Sequence, residues 1–213
     1  MTKIKICGIR RIEDCQYLNE FKPDYAGFIL SKPFWRCIDL NKLSELDNVL
    51  SKQIKRVGVF VNETVEYILQ YTPLLDIIQL HGDETENFIN DLRAKTDCEI
   101  WKAIRVKSAD EINKTCKLPV DKLLIDSYSD NTYGGSGKVA NWDLIKDCEI
   151  SKPFLLAGGI SADNCLEAVN SVKPFGLDIS SSVETDKVKD SKKIKEIISL
   201  IRNHDRIIDT CSE

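Results

Sequence analysis

Histidine is scarce in this sequence: 213 residues contain two, His81 and His204. That excludes a histidine-rich metal site and leaves few general bases of the usual kind. Basic charge is not in excess either. Lys and Arg number 30 against 34 Asp and Glu, for a net charge of -4, which does not favour nucleic acid or an anionic membrane as a partner. No run approaches the roughly 18 apolar residues of a membrane-spanning helix. The opening MTKIKICGIRRIEDC has no long apolar stretch and no small-residue cleavage site, so no signal peptide is expected. CxxC pairs are missing as well. The eight cysteines, at 7, 15, 37, 98, 116, 148, 165 and 211, form no close pair, which disfavours zinc ribbons and redox dithiols. The expected compartment is cytoplasmic and reducing, with each thiol by default a small, buried, inert side chain. Only 10 Gly and 6 Pro, with 42% hydrophobic and 30% charged residues, exclude collagen and disorder and leave enough apolar mass for one sizeable core.

Short apolar runs alternate with longer amphipathic segments. The candidate strands are 3–7, 25–30, 56–61, 76–80, 99–104, 122–126, 154–157 and 176–180. Each is four to six residues long, rich in aliphatic and aromatic side chains, and bounded by Gly, Pro, Asp or Ser. Helical patterns lie between them; in the last, Ile194, Ile197, Ile198 and Ile201 recur at helical spacing. Asn62 or Thr64 starts the helix after strand three, and Ser161 or Asp163 the one after strand seven. Strand–helix alternation demands a parallel sheet with right-handed crossovers. Eight such units fit a single-domain (β/α)8 barrel over 1–213, more strands than the usual doubly wound sheet has. The tail after Asn203 either extends the last helix or frays.

In a barrel, chemistry collects where strands end and the βα loops begin. Those ends carry Cys7, Arg36 in the loop after strand two, His81, Asp126, Gly158-Gly159, and Asp178 followed by Ser180-Ser181-Ser182. Two glycines ahead of a helix let backbone N–H groups approach an anion, and the Ser run adds hydroxyls. Together Gly158, Gly159, Ser180 and Ser181 suggest a phosphate site, although the Gly pair alone also suits a tight turn. GGSG (134–137) is a weaker signal that fits a lid equally well. Asp126 reads as a helix cap or as an acid/base group. Period two puts Lys3, Lys5 and Cys7 on one face and Ile4 and Ile6 on the other. Lys5 and Cys7 therefore point into the barrel, where the lysine needs an anionic partner and its charge would lower the thiol pKa. Cys7 is then either a reactive thiol or a packing residue.

Taken together these strand ends resemble phosphoribosylanthranilate isomerases, through KICGIRRIEDC (5–15), GFILSKPFWR (27–36), VGVFVN (57–62), QLHGDE (79–84), LLIDSYSDNTYGGSGKVANWDL (123–144), LAGGISADN (156–164) and GLDISSSVE (176–184). The resemblance covers nearly the whole chain. It implies a (β/α)8 enzyme of tryptophan biosynthesis that needs no metal or cofactor and performs an Amadori rearrangement. It further implies Cys7 as general base, Asp126 as a general acid that holds its proton, and Arg36 as the fork for the anthranilate carboxylate. His81 and Asp178 are expected at the substrate, with His81 open between substrate contact and structural hydrogen bonding, and Asp178 also a candidate partner of Lys5. A small phosphosugar is the implied ligand, and the protein is expected as monomer or homodimer. Three positions depart from the family pattern: Phe34-Trp35 where Ser-Pro is common, Arg10 where threonine is usual, and Ser182 where glycine is usual. A histidine-biosynthesis isomerase would use paired aspartates, a ribulose-phosphate epimerase would need metal-ligating histidines, and a phosphate binder without turnover is the reading from another class.

Overall fold

Eight parallel strands close on themselves in sequence order in the computed structural model, which describes residues 1–105, 108–126, 142, 145 and 148–211. They are β1 (Lys3–Cys7), β2 (Tyr25–Ile29), β3 (Lys55–Phe60), β4 (Ile77–Leu80), β5 (Glu99–Arg105), β6 (Lys122–Asp126), β7 (Phe154–Leu156) and β8 (Gly176–Ile179). Every boundary falls within one residue of the apolar run that predicts it. The described helices are α1 (Ile12–Phe21), α2 (Leu40–Val49), α3 (Val65–Leu69), α4 (Glu86–Arg93), α5 (Ala109–Cys116), α6 (Cys165–Val172) and α7 (Ser191–Cys211). A short ribbon, β9 (Glu184–Thr185) with β10 (Val188–Lys189), rises between β8 and α7.

Helix starts follow local chemistry, with one correction. The Thr64 side chain caps α3 by accepting from the Tyr67 amide. Asn62 instead takes a left-handed backbone, φ 53, and its Oδ1 accepts from the Asp83 amide. Neither Ser161 nor Asp163 caps α6; the cap position is Asn164. Ser161 lies in the preceding turn, where its carbonyl accepts the Asn164 and Cys165 amides and its own N–H donates to Asn164 Oδ1. That turn competes successfully for the residue that looks like a cap from sequence alone.

The foot of the barrel is stapled by aspartates that the strand boundaries only hint at. Asp24, Asp76 and Asp121 each sit at the approach to an even-numbered strand. Each accepts, through its carboxylate, the amide of a residue early in the preceding strand: Ile4 at 2.9 Å, Arg56 at 2.8 Å and Ile100 at 2.7 Å. Their own amides donate back to the carbonyls of those same residues. Thus β1/β2, β3/β4 and β5/β6 are locked in register where the sheet would otherwise leave unpaired backbone donors. Asp24 also accepts from Lys3 and from Arg202 of α7.

Register then stacks the interior. Tyr25, Val57, Ile77, Trp101 and Leu155 form an apolar floor, with Tyr25 edge-on to Trp101 at 5.0 Å between centroids. Two residues further along each strand, the same face carries Gly27, Val59, Gln79, Ala103 and Ala157. Two further again reach the mouth. Ile4 and Ile6 face outward into the helix-packed core, as period two requires. Trp142 and Ile145 are buried in that same layer.

Burial alone would raise the Asp24 carboxyl, but Lys3, Arg202 and the Ile4 amide outweigh it and hold it below the ordinary 3.8. A depressed carboxyl contributes stability that is complete above its unfolded pKa and is lost as pH falls through the folded value. Asp24→Asn should therefore cost about 1–3 kcal/mol near neutral pH. It should also lose less further stability than wild type in urea unfolding repeated below the ordinary carboxyl pKa. Parallel losses in the two proteins would refute this role.

Candidate active site

Two inward residues of β1, Lys5 and Cys7, set the base of the site. Lys5 is fully buried, directly across from Asp178 in the β1/β8 register, with Nζ 2.8 Å from Asp178 Oδ1. The pairing expected from sequence is present. Burial works against the Lys5 charge, but the carboxylate of Asp178 and the neighbouring Cys7 outweigh it and raise the ammonium pKa. Cys7 ends the strand above, opposite Gly27 of β2. A Cβ at Gly27 would stand 2.6 Å from Cys7 Sγ, so only glycine leaves room for the thiol.

The expected pull of Lys5 on the Cys7 thiol is present but outweighed. Burial pushes the Cys7 thiol up, and Lys5 and Lys189 pull it back only in part, so it rests above the ordinary 9.0. The cation beneath it is already matched by Asp178 and cannot offset removing a thiolate from water. Cys15 follows the same rule and is pushed up to about 12, chiefly by burial. All seven cysteines with described side chains are free thiols, but Cys37, Cys98, Cys116 and Cys148 are partly exposed rather than buried.

Asp126 ends β6 inside the barrel, buried, with Oδ2 3.4 Å from His81 Nε2. His81 Nδ1 lies 3.0 Å from Gln79 Nε2. His81 makes a hydrogen bond within the protein and also lines the cavity. Its backbone is set by the Gly82–Glu84–Lys102 cluster, where Glu84 accepts from the Gly82 amide and from Lys102 Nζ, and Gly82 O accepts from that same Nζ at 2.7 Å. Gln79 was not a candidate from sequence, although a polar residue two before His81 on an otherwise apolar strand was its signal.

Arg36 is carried by a loop that returns to its own strand. Cys37 bridges Ile29, and the buried Ser31 hydroxyl accepts from the Val61 amide at 2.9 Å. The Arg36 guanidinium pairs with Glu184 and lies 4.1 Å from the Trp35 ring centroid. Arg10 and Lys187 also approach that ring, at 4.7 and 5.7 Å. Glu184 and the buried Lys189 were missed; the signal for Glu184 was the acidic end of SSSVE.

Across the mouth, Gly158 and Gly159 adopt φ 83 and 72, conformations that favour glycine. Five residues separate Gly159 from the start of α6, so the pair does not open that helix directly. Ser180 Oγ donates to Cys7 O at 3.1 Å, tying β8 to β1. Ser181 begins a single 3-10 turn, and Ser182 Oγ donates to Ile160 O, joining the loops after β7 and β8. Cys7, Arg36, His81, Asp126 and Asp178 all line one cavity of 390 Å³ together with Gly158, Gly159, Ser180 and Ser181. GGSG (134–137) lies outside the described residues. Among the described residues no group of three or more His, Cys, Asp or Glu is arranged to hold a metal ion, and no helix is long and apolar enough to cross a membrane.

Since the thiolate is the nucleophile toward iodoacetamide, Cys7 alkylation should climb with pH to a midpoint above 9.0, the ordinary thiol value. Peptide mass spectrometry of carbamidomethylated Cys7 across a pH series measures it. A plateau already reached at neutral pH would show that Lys5, not burial, dominates.

The family model for N-(5'phosphoribosyl)anthranilate (PRA) isomerase matches residues 4–200. The chain is 45% identical over 204 residues to the N-(5'-phosphoribosyl)anthranilate isomerase of Thermoanaerobacter sp. (strain X514), covering 95% of this chain and 98% of that one. Its fold is similar to a crystal structure of monomers of the dimeric phosphoribosylanthranilate isomerase from Thermotoga maritima, with TM-score 0.82, 30% identity, and 95% and 100% of the two chains covered. A phosphoribosyl anthranilate isomerase solved with reduced 1-(o-carboxyphenylamino)-1-deoxyribulose 5-phosphate is also similar, at TM-score 0.82 and 28% identity, over 95% of this chain and 100% of that one.

Proposed function

The chain belongs to the N-(5'-phosphoribosyl)anthranilate isomerase family, and we propose that it catalyses the Amadori rearrangement of N-(5-phosphoribosyl)anthranilate to 1-(2-carboxyphenylamino)-1-deoxyribulose 5-phosphate in tryptophan biosynthesis. The observation that carries this reading is the convergence of Cys7, Asp126, Arg36 and the Gly158-Gly159 loop on one cavity. Its 390 Å³ suits a ligand of this size. The work is that of a cytoplasmic enzyme, monomer or homodimer, acting on a small phosphosugar without a cofactor.

The substrate's two anionic ends orient it. Backbone amides around Gly158, Gly159, Ser180 and Ser181 take the phosphate, and Arg36 takes the anthranilate carboxylate. Asp126 donates a proton to the ribose ring oxygen as the C–O bond breaks, leaving a protonated Schiff base. That cation, set beside Lys5 and Lys189, favours the Cys7 thiolate that the free protein disfavours. Cys7 then removes the proton from the adjacent sugar carbon, and the resulting enolamine tautomerises to the ketone. His81 and Asp178 act at the cavity wall, His81 beside Asp126 and Asp178 under Cys7.

Turnover of freshly made phosphoribosylanthranilate, followed by loss of anthranilate fluorescence, tests the assignment. Cys7→Ser and Asp126→Asn should each lower kcat by about 10²–10⁴-fold, and Arg36→Met should chiefly raise KM. Two variants as active as wild type would refute the acid and base roles. A wild type that binds the reduced product analogue yet never turns over substrate would establish a binder.

A further inference from the structure

Arg36 is held on three sides before any ligand arrives. Its stem passes Gly8, where a Cβ would stand 2.8 Å from Arg36 Cδ. Its guanidinium lies against Trp35. Its Nε and Nη2 donate to the two carboxylate oxygens of Glu184 at 3.0 and 2.8 Å. Glu184 reaches the mouth from β9 and is itself gripped, since its Oε1 accepts from Lys189 Nζ at 2.9 Å. Lys189 also donates to Ser180 O at 2.9 Å, which roots the group in the loop after β8. Burial would raise the Glu184 carboxyl, but Arg36 and Lys189 outweigh it and hold it below the ordinary 4.5, so it is ionised at neutral pH.

The Glu184 pairing occupies the side-on edge of the guanidinium, formed by Nε and one Nη2 hydrogen. The end-on edge, Nη1 with the other Nη2 hydrogen, also matches a carboxylate. Among the described residues Nη1 has no hydrogen-bond partner. One carboxylate between two cations leaves the trio of Arg36, Glu184 and Lys189 with net positive charge, so Glu184 orients the arginine without cancelling its attraction for an anion.

We propose that Glu184 is a positioning residue that presents the end-on edge of Arg36 to the ligand's carboxylate, making selection for carboxylate-bearing aryl phosphosugars depend on Glu184. This rests on the reading of Arg36 given under the proposed function. Fixing the fork in advance removes an ordering cost from binding, and that gain applies only to ligands that use the fork.

Isothermal titration of the full chain with two probes tests it: reduced 1-(2-carboxyphenylamino)-1-deoxyribulose 5-phosphate, and the same compound without the ring carboxylate. Wild type should bind the first more tightly by at least about tenfold. Glu184→Gln should weaken the first by about tenfold and the second by less than about twofold. Glu184→Asp keeps the charge beside Lys189 but withdraws it by one methylene; it should show a smaller loss on the first probe alone, and it is the deciding variant if thermal melting shows Glu184→Gln unfolded. Equal weakening of both probes would reduce Glu184 to a structural prop and overturn the proposal, as would undiminished affinity for the first. A wild type that does not distinguish the probes would overturn the carboxylate role of Arg36 itself, and this proposal with it.

Discussion

The buried ion pair between Lys5 and Asp178 is the constraint from which the site is built. A lysine ammonium at mid-height inside a barrel has no access to water, and an unpaired charge there would cost several kcal/mol. A carboxylate on the neighbouring strand at the same height removes that cost, and the β1/β8 register supplies one. These are also the first and last strands, so the pair is satisfied only when the barrel has closed. Register at the seam and charge beneath the site are thus a single condition. Because Asp178 matches Lys5, the field that reaches Cys7 is weaker than that of a lone lysine. The upward push on the Cys7 thiol follows from that balance.

The two ends of the barrel divide their labour accordingly. At the foot, Asp24, Asp76 and Asp121 hold strand pairs in register through backbone amides. At the mouth the polar groups point into a cavity and several are offered to one another sparingly: Asp126 stands 3.4 Å from His81, outside good hydrogen-bond distance. The loops of the mouth are tied to one another by specific bonds, such as Ser180 to Cys7 O and Ser182 to Ile160 O. A substitution at the foot should act through register, and one at the mouth through ligand geometry.

How far the sequence could be read depended on whether the governing rule was local. Strand positions were legible to within a residue because alternation on a parallel barrel is a local pattern, and the same rule put Lys5 and Cys7 inside and Ile4 and Ile6 outside. The cap of α6 was not legible, since Ser161, Asp163 and Asn164 are all good caps and the choice is made by the turn they share. The pull of Lys5 on the Cys7 thiol was legible, but the burial that outweighs it was not, because depth cannot be read from spacing. Glu184 was passed over for a related reason: its partner Arg36 comes from the loop after β2, at a separation that no spacing rule encodes.

Loop two shows how a departure from a family pattern can be absorbed. Where Ser-Pro is common, a proline would restrain the backbone ahead of the arginine; Phe34-Trp35 cannot. The restraint here comes instead from outside the local chain. Ser31 accepts from the Val61 amide, Cys37 bridges back to Ile29, and the indole of Trp35 gathers Arg36, Arg10 and Lys187 within 5.7 Å. Each cation–π contact at such an exposed site contributes about 0.5–1 kcal/mol, so the three together are comparable to one good backbone restraint. Two of those cations, Arg10 and Lys187, are joined by a hydrogen bond from Arg10 Nη2 to Lys187 O. The loops after β1, β2 and β8 therefore meet on one indole. Trp35 and Arg10, two of the three departures, compensate together: the arginine that replaces threonine supplies a cation to the tryptophan that replaces proline, and Arg36 stays fixed between them and Glu184.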